Sequence, residues 1–146
     1  MRLLPNRWAL AWAALTAAFA LHVLDEATHD FLAWYNPNAS AIRDLLGEPW
    51  FPPSFSFSVW IGGLCAAIAL LAALTPMLHR PRRWLIAGAY VYAGIHVLNG
   101  LLHLTLSVVG LFLAPGALSS PVLLAAAVWL LIETRRVQKK HSVEIA

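Results

Sequence analysis

Four apolar runs, at residues 8–34, 54–78, 84–113 and 122–134, leave this chain few ways to fold other than as helices crossing a membrane. A hydrocarbon core about 30 Å thick is spanned by ~20 helical residues, and within it every backbone N–H and C=O must find its partner inside the helix. Hydrophobic side chains make up 60% of the 146 residues and charged ones 12%, a balance too apolar for a water-soluble domain in a chain too short for two domains. The expected fold is therefore all-α: one integral membrane domain over residues 1–146, a four-helix transmembrane bundle whose last helix can extend into the basic tail.

The charges define a topology. If all four runs cross, Arg2, Arg7, Arg80, Arg82, Arg83, Arg135, Arg136, Lys139 and Lys140 share one face and only Arg43 lies opposite. This positive-inside pattern places both termini in the cytoplasm, and richness in Ala, Leu, Arg and Trp points to a bacterial inner membrane. The formal charge of +3 thus follows from topology and carries no nucleic-acid reading. Glu133, three residues before Arg136, is expected as an interfacial ion pair. The lone Cys65 excludes an intrachain disulfide and any Cys-based metal cluster. Residues 36–53, with Pro37, Gly47, Pro49, Pro52 and Pro53 beside Trp34, Tyr35, Trp50 and Phe51, read as an interfacial loop with one short helical turn at 41–46. Ser54 is a candidate N-cap of the second helix, and Ser119 or Ser120 of the fourth. A rival reading takes the N-terminal run as a signal peptide cleaved after Ala18-Phe19-Ala20, which would discard the helix that carries the most unusual residues.

Those residues are His22, Asp25, Glu26 and His29, set into the outer third of the first run. Asp at a helix centre in a membrane costs about 2.5–3.5 kcal/mol, so two adjacent acids oppose insertion of the segment that holds them. At about 100° per residue the spacing i, i+3, i+4, i+7 confines all four side chains to one stripe. His96, Asn99 and His103 repeat the geometry in the third run. Polar stripes of this kind face each other, not lipid. Each is followed by a Pro-containing turn and an apolar return helix, which suggests a tandem repeat of two helical hairpins. Counting at 1.5 Å per residue from Arg7 and Arg83, His22 and His96 lie at depths within about 3 Å of each other.

Four imidazoles and two carboxylates form a nitrogen and oxygen donor set suited to a divalent metal, zinc or iron. His22, Glu26, His29, His96 and His103 are the candidate ligands. A dinuclear arrangement pairs His22 with His96 and His29 with His103, bridged by Glu26. Coordination positions left open favour catalysis, with Asp25 or Glu26 as general base and Asn99 as donor to a developing oxyanion. The expected activity is hydrolysis of a lipid or other apolar substrate. The alternatives are a metal-free acid/base lipid isomerase, a proton-linked transporter or a haem electron-transfer protein. A homo-oligomer is compatible with all of them.

On these residues the chain resembles the small integral membrane proteins named for an H-x-x-E-E motif. The shared features are His22 to Glu26 in the first helix, Asn99 to His103 in the third, and Pro115-Gly116 before the last span. Asp25 stands where the motif has its first Glu, which keeps the carboxylate and shortens its reach. The resemblance implies a four-helix membrane protein with an enzymatic site, and no particular reaction.

Overall fold

Each apolar run becomes a helix, but local capping chemistry moves the boundaries. The computed structural model describes residues 6–145 and places five α-helices: α1 (Arg7–Thr28), α2 (Phe31–Leu46), α3 (Phe57–Leu74), α4 (Arg83–Gly110) and α5 (Ser120–Ile145). No strand occurs among the described residues, and Arg2 lies outside them. A 3₁₀ turn, Thr75–His79, leads from α3 toward α4. Three helices are long and apolar enough to cross a membrane: α1, α3 with its 3₁₀ extension, and α4. The expected fourth span, α5, has 26 residues, but its apolar run stops at Ile132, before Glu133, Arg135 and Arg136.

The first run ends earlier than its hydropathy implies. The Thr28 hydroxyl donates to the carbonyls of Leu24 and Asp25, and His29 Nδ1 lies 2.9 Å from the Asp25 carbonyl. Side chains thus take up carbonyls that the next turn would have used. Asp30 then adopts the left-handed conformation at φ 53°, which Asp tolerates better than most residues, and the chain breaks into α2. α2 replaces the expected loop and carries Pro37 in its interior. Proline weakens a helix there, and contacts to the following segment compensate. Asn36 Nδ2 donates to the Phe55 carbonyl while its Oδ1 accepts from Phe55 N–H, Tyr35 donates to the Pro53 carbonyl, and Arg43 donates to Ser54 Oγ. With Ser54 so engaged, Ser56 is the residue that caps α3.

α5 packs along both α1 and α4, and α3 lies against α1. Ala11, Ala89, Ala93 and Ala127 are fully buried, and their small side chains let the helices approach closely. Trp8, Trp12, Leu15, Leu123 and Leu130 fill the remaining core. Beyond it, Leu24, Val59, Leu70, Val91 and Leu98 stay exposed, a surface that lipid accepts and water does not. The basic residues of α1, α4 and α5 collect at one end. There Asn6 caps α1 and donates to the Leu78 carbonyl, Trp8 Nε1 donates to Thr134 Oγ1 at 3.0 Å, and Arg136 donates to Glu133 at 2.6 Å, the expected ion pair. Arg7 joins it at 3.4 Å.

Side-chain contacts between α1 and α4 give their register. Tyr92 donates to Thr16, His96 packs edge-on to Phe19, and Asn99 bonds His22. The partners are separated by 76, 77 and 77 residues, whereas the hairpin repeat expects His22 opposite His96, a separation of 74. α4 is therefore displaced by about three residues, ~4.5 Å, relative to the symmetric arrangement. The hairpins also differ in their outer connections. The first contains α2, and the second is a short turn with left-handed Leu111 (φ 53°) and Gly116 (φ 85°).

Candidate metal centre

The displaced register sets Glu26 opposite His103, again 77 residues apart. His103 Nε2 lies 3.0 Å from Glu26 Oε1, and His22 Nε2 lies 3.5 Å from the same oxygen. The three ligand atoms all fall within 4.8 Å of one another, and the three residues are 0–6% exposed. Two donors bound tetrahedrally to zinc at 2.0–2.1 Å sit about 3.3 Å apart, between the two measured separations. The group could therefore hold a metal ion, with the two imidazole nitrogens, which lie within 4.8 Å of each other, drawing together around it.

His22 is held from its far side. Its Nδ1 lies 2.8 Å from Ser119 Oγ, and Ser119 donates both its hydroxyl (2.7 Å) and its backbone N–H (2.9 Å) to Asp25 Oδ2. Because the hydroxyl proton goes to the carboxylate, the proton in the His22 bond comes from the ring: Nδ1–H donates to Ser119. That tautomer leaves the Nε2 lone pair aimed at the cluster. A second ring nitrogen tied through hydrogen bonds to a carboxylate is the arrangement that orients metal-binding histidines. Asn99 Nδ2, 3.0 Å from His22 Nε2, donates to that lone pair. An ion there would displace this bond and free the Asn99 Nδ2–H groups to donate elsewhere.

The remaining predicted residues lie elsewhere. His29 caps the end of α1, its side chain 44% exposed, and its Nδ1 sits 2.9 Å from Asp25 Oδ1. It faces away from the cluster because α1 ends one residue before it. His96 donates from Nδ1 to the Tyr92 carbonyl and lies edge-on to both Phe19 and Tyr92. The imidazoles thus pair as His22 with His103, at ring centroids 4.9 Å apart, and not as His22 with His96 and His29 with His103. The cause is the slip between α1 and α4 combined with the early end of α1. Asp25 holds Ser119 instead of joining the cluster.

Three further residues complete the site. Gly116 lies directly over it: a Cβ there would stand 2.8 Å from His22 Cε1 and 3.1 Å from both Glu26 Cγ and His103 Cε1. Phe31, in the first turn of α2, stacks with Tyr35 and Trp60 and flanks the His103 ring at 6.0 Å. Ser119, expected only as a helix cap, orients His22. Its nearest sequence signal was the Ser-Ser-Pro start of α5, and nothing in that string points 97 residues back to a histidine. Beside Asp25 and Ser119, between α1 and the turn that precedes α5, lies a cavity of about 410 Å³, lined also by Leu21, Leu24, Thr28 and Leu118.

No protein-family model, curated protein or solved structure matches the chain. What it does must therefore be argued from the site.

Proposed function

We propose that this chain is a metal-dependent hydrolase of the bacterial inner membrane, acting on a lipid or another apolar substrate. The observation that carries the reading is the convergence of His22 Nε2, Glu26 Oε1 and His103 Nε2 in a buried setting, with His22 Nδ1 tied through Ser119 to Asp25. In this reading α1, α3, α4 and α5 all cross, with both termini in the cytoplasm. α5 spans about 39 Å, enough to cross while its Arg and Lys side chains reach the boundary. Resemblance to the H-x-x-E-E proteins agrees with this arrangement.

An ion held by His22, Glu26 and His103 would keep a position open, as catalytic zinc sites do and structural ones do not. A divalent ion held there would act as a Lewis acid toward a carbonyl or phosphoryl oxygen. Glu26 would hold the ion through Oε1 and balance part of its charge, and its carboxylate can accept a proton. The Asn99 amide, on the neighbouring turn of α4, can donate to an oxygen that gains charge. Asp25 fixes Ser119 and thereby the His22 ring. It also borders the cavity of about 410 Å³, so an apolar substrate would approach between α1 and the turn before α5.

The test is metal content by plasma mass spectrometry on detergent-purified protein prepared without chelator. About one equivalent of zinc or iron is expected in wild type and in His29→Ala, and none in His103→Ala or Glu26→Gln. Loaded wild type should then release fatty acid or phosphate from a membrane lipid extract, and chelator should stop it. Folded wild type without metal would end the metalloenzyme reading and favour acid/base chemistry by the same residues.

A further inference from the structure

The basic end of the bundle holds a second polar feature, unconnected with the metal cluster. Between the first turns of α4 and the last turns of α5 lies a cavity of about 500 Å³. Arg83, Gln138 and His141 line it, and Ile86 and Ala87 form an apolar wall. Tyr90 donates its hydroxyl to Gln138 Oε1 at 2.8 Å, which fixes the amide and leaves its two Nε2–H groups to donate elsewhere. The Ser142 hydroxyl is spent on the Gln138 carbonyl. The polar lining therefore offers as donors the permanent Arg83 guanidinium and the Gln138 Nε2–H groups, and no carboxylate lines the cavity among residues 6–142. Such a lining selects an anion with several acceptor oxygens, above all a phosphate, which arginine binds through two parallel hydrogen bonds.

The surface above the cavity tells a lipid from a free anion. Arg83, Ala87, Val91 and Leu98 fall within an arc of about 80° on α4 at 100° per residue. Val91 and Leu98 are 63% and 70% exposed, so the stripe leaving the cavity is apolar and unburied. Gly94 lies within the same arc, with open space where its side chain would be, and makes a notch along the stripe. An acyl chain fits such a track, whereas a soluble anion has no use for it.

We propose that this cavity binds the phosphate of an anionic phospholipid, with one acyl chain lying along α4 past Gly94. The site sits at the end of the helices that the positive-inside pattern assigns to the cytoplasm, where basic pockets between spans meet anionic headgroups. It depends on the membrane reading and is independent of the metal.

The experiment is native mass spectrometry of the full chain released from detergent and titrated with dioleoylphosphatidylglycerol. Wild type should hold one lipid saturably, and phosphatidylcholine should bind more weakly. Arg83→Gln should weaken the phosphatidylglycerol adduct about tenfold, Arg83→Lys should recover part of the loss, and Arg135→Gln, outside the cavity, should change nothing. Gly94→Leu, a change that favours helix, should weaken lipid binding by filling the notch. Circular dichroism confirms that each variant folds. Equal binding by Arg83→Gln, or no saturable adduct in wild type, overturns the site. Inorganic phosphate that displaces the lipid at equal concentration, with Gly94→Leu behaving as wild type, overturns the lipid assignment.

Discussion

Replacing Gly116 by alanine tests whether the α4–α5 turn really presses on the histidine cluster. The added methyl would stand 2.8–3.1 Å from three carbon atoms of His22, Glu26 and His103, where carbon pairs are at ease at about 3.5–4.0 Å. To relieve the clash the turn must lift, or the rings must rotate, by roughly half an ångström or more. Overpacking of this order costs about 1–3 kcal/mol. The left-handed backbone at φ 85° adds about 1–2 kcal/mol for any residue with a Cβ. Gly116→Ala should therefore destabilise the protein by about 2–5 kcal/mol and disturb the metal ligands. Gly47→Ala separates the two contributions, because Gly47 is also left-handed (φ 68°) but has nothing within 4 Å of its virtual Cβ. That variant should lose only the backbone part, about 1–2 kcal/mol, and keep its metal. Equilibrium unfolding in mixed micelles, followed by circular dichroism together with metal content, reads both quantities. Equal destabilisation by the two variants, with metal retained in both, would refute the close cover of the cluster.

Asp25→Asn removes the charge from the acceptor of two Ser119 hydrogen bonds, so it should cost about 1.5–3 kcal/mol in the same unfolding assay and weaken metal binding ten- to a hundredfold. Unchanged affinity would show that Ser119 does not orient His22. Trp8→Phe breaks a buried bond to Thr134 and leaves a void, for an expected loss of about 2–4 kcal/mol. A Thr134→Val change in that background should add less than it does alone, because the hydroxyl has already lost its partner. Cys65 is exposed on α3, yet in intact vesicles it should resist a membrane-impermeant maleimide and react only after detergent denaturation. Rapid labelling in intact vesicles would contradict a crossing α3.

Much of the fold was legible because a membrane helix satisfies its own backbone. Length and apolarity alone then announce α1, α3 and α4. The candidate residues were legible for the converse reason: carboxylates and imidazoles amid such runs oppose insertion, and their periodicity gathers them on one face. The outer connection departs from its sequence pattern. Pro37 and its polar neighbours look like a loop until the hydrogen bonds of Asn36 and Tyr35 to residues 53–55 are known. The end of α1 turns on Thr28, His29 and Asp30, three polar residues whose competition with the backbone no hydropathy pattern reports.

The sequence by itself determined which faces of α1 and α4 meet, because hydropathy repeats every three to four residues and reports rotation about a helix axis. It could not determine how far one helix slides along the other, since a shift of about one turn presents the same face again. That sliding distance was decided by packing on α5, where Trp8 seats against Thr134 and Tyr90 against Gln138. The result is a separation of 77 in place of 74, which sets Glu26 against His103 and leaves His96 against Phe19. The closing contributions of Ser119 and Gly116 likewise come from the return of the chain through space, a matter of tertiary packing that no local pattern encodes.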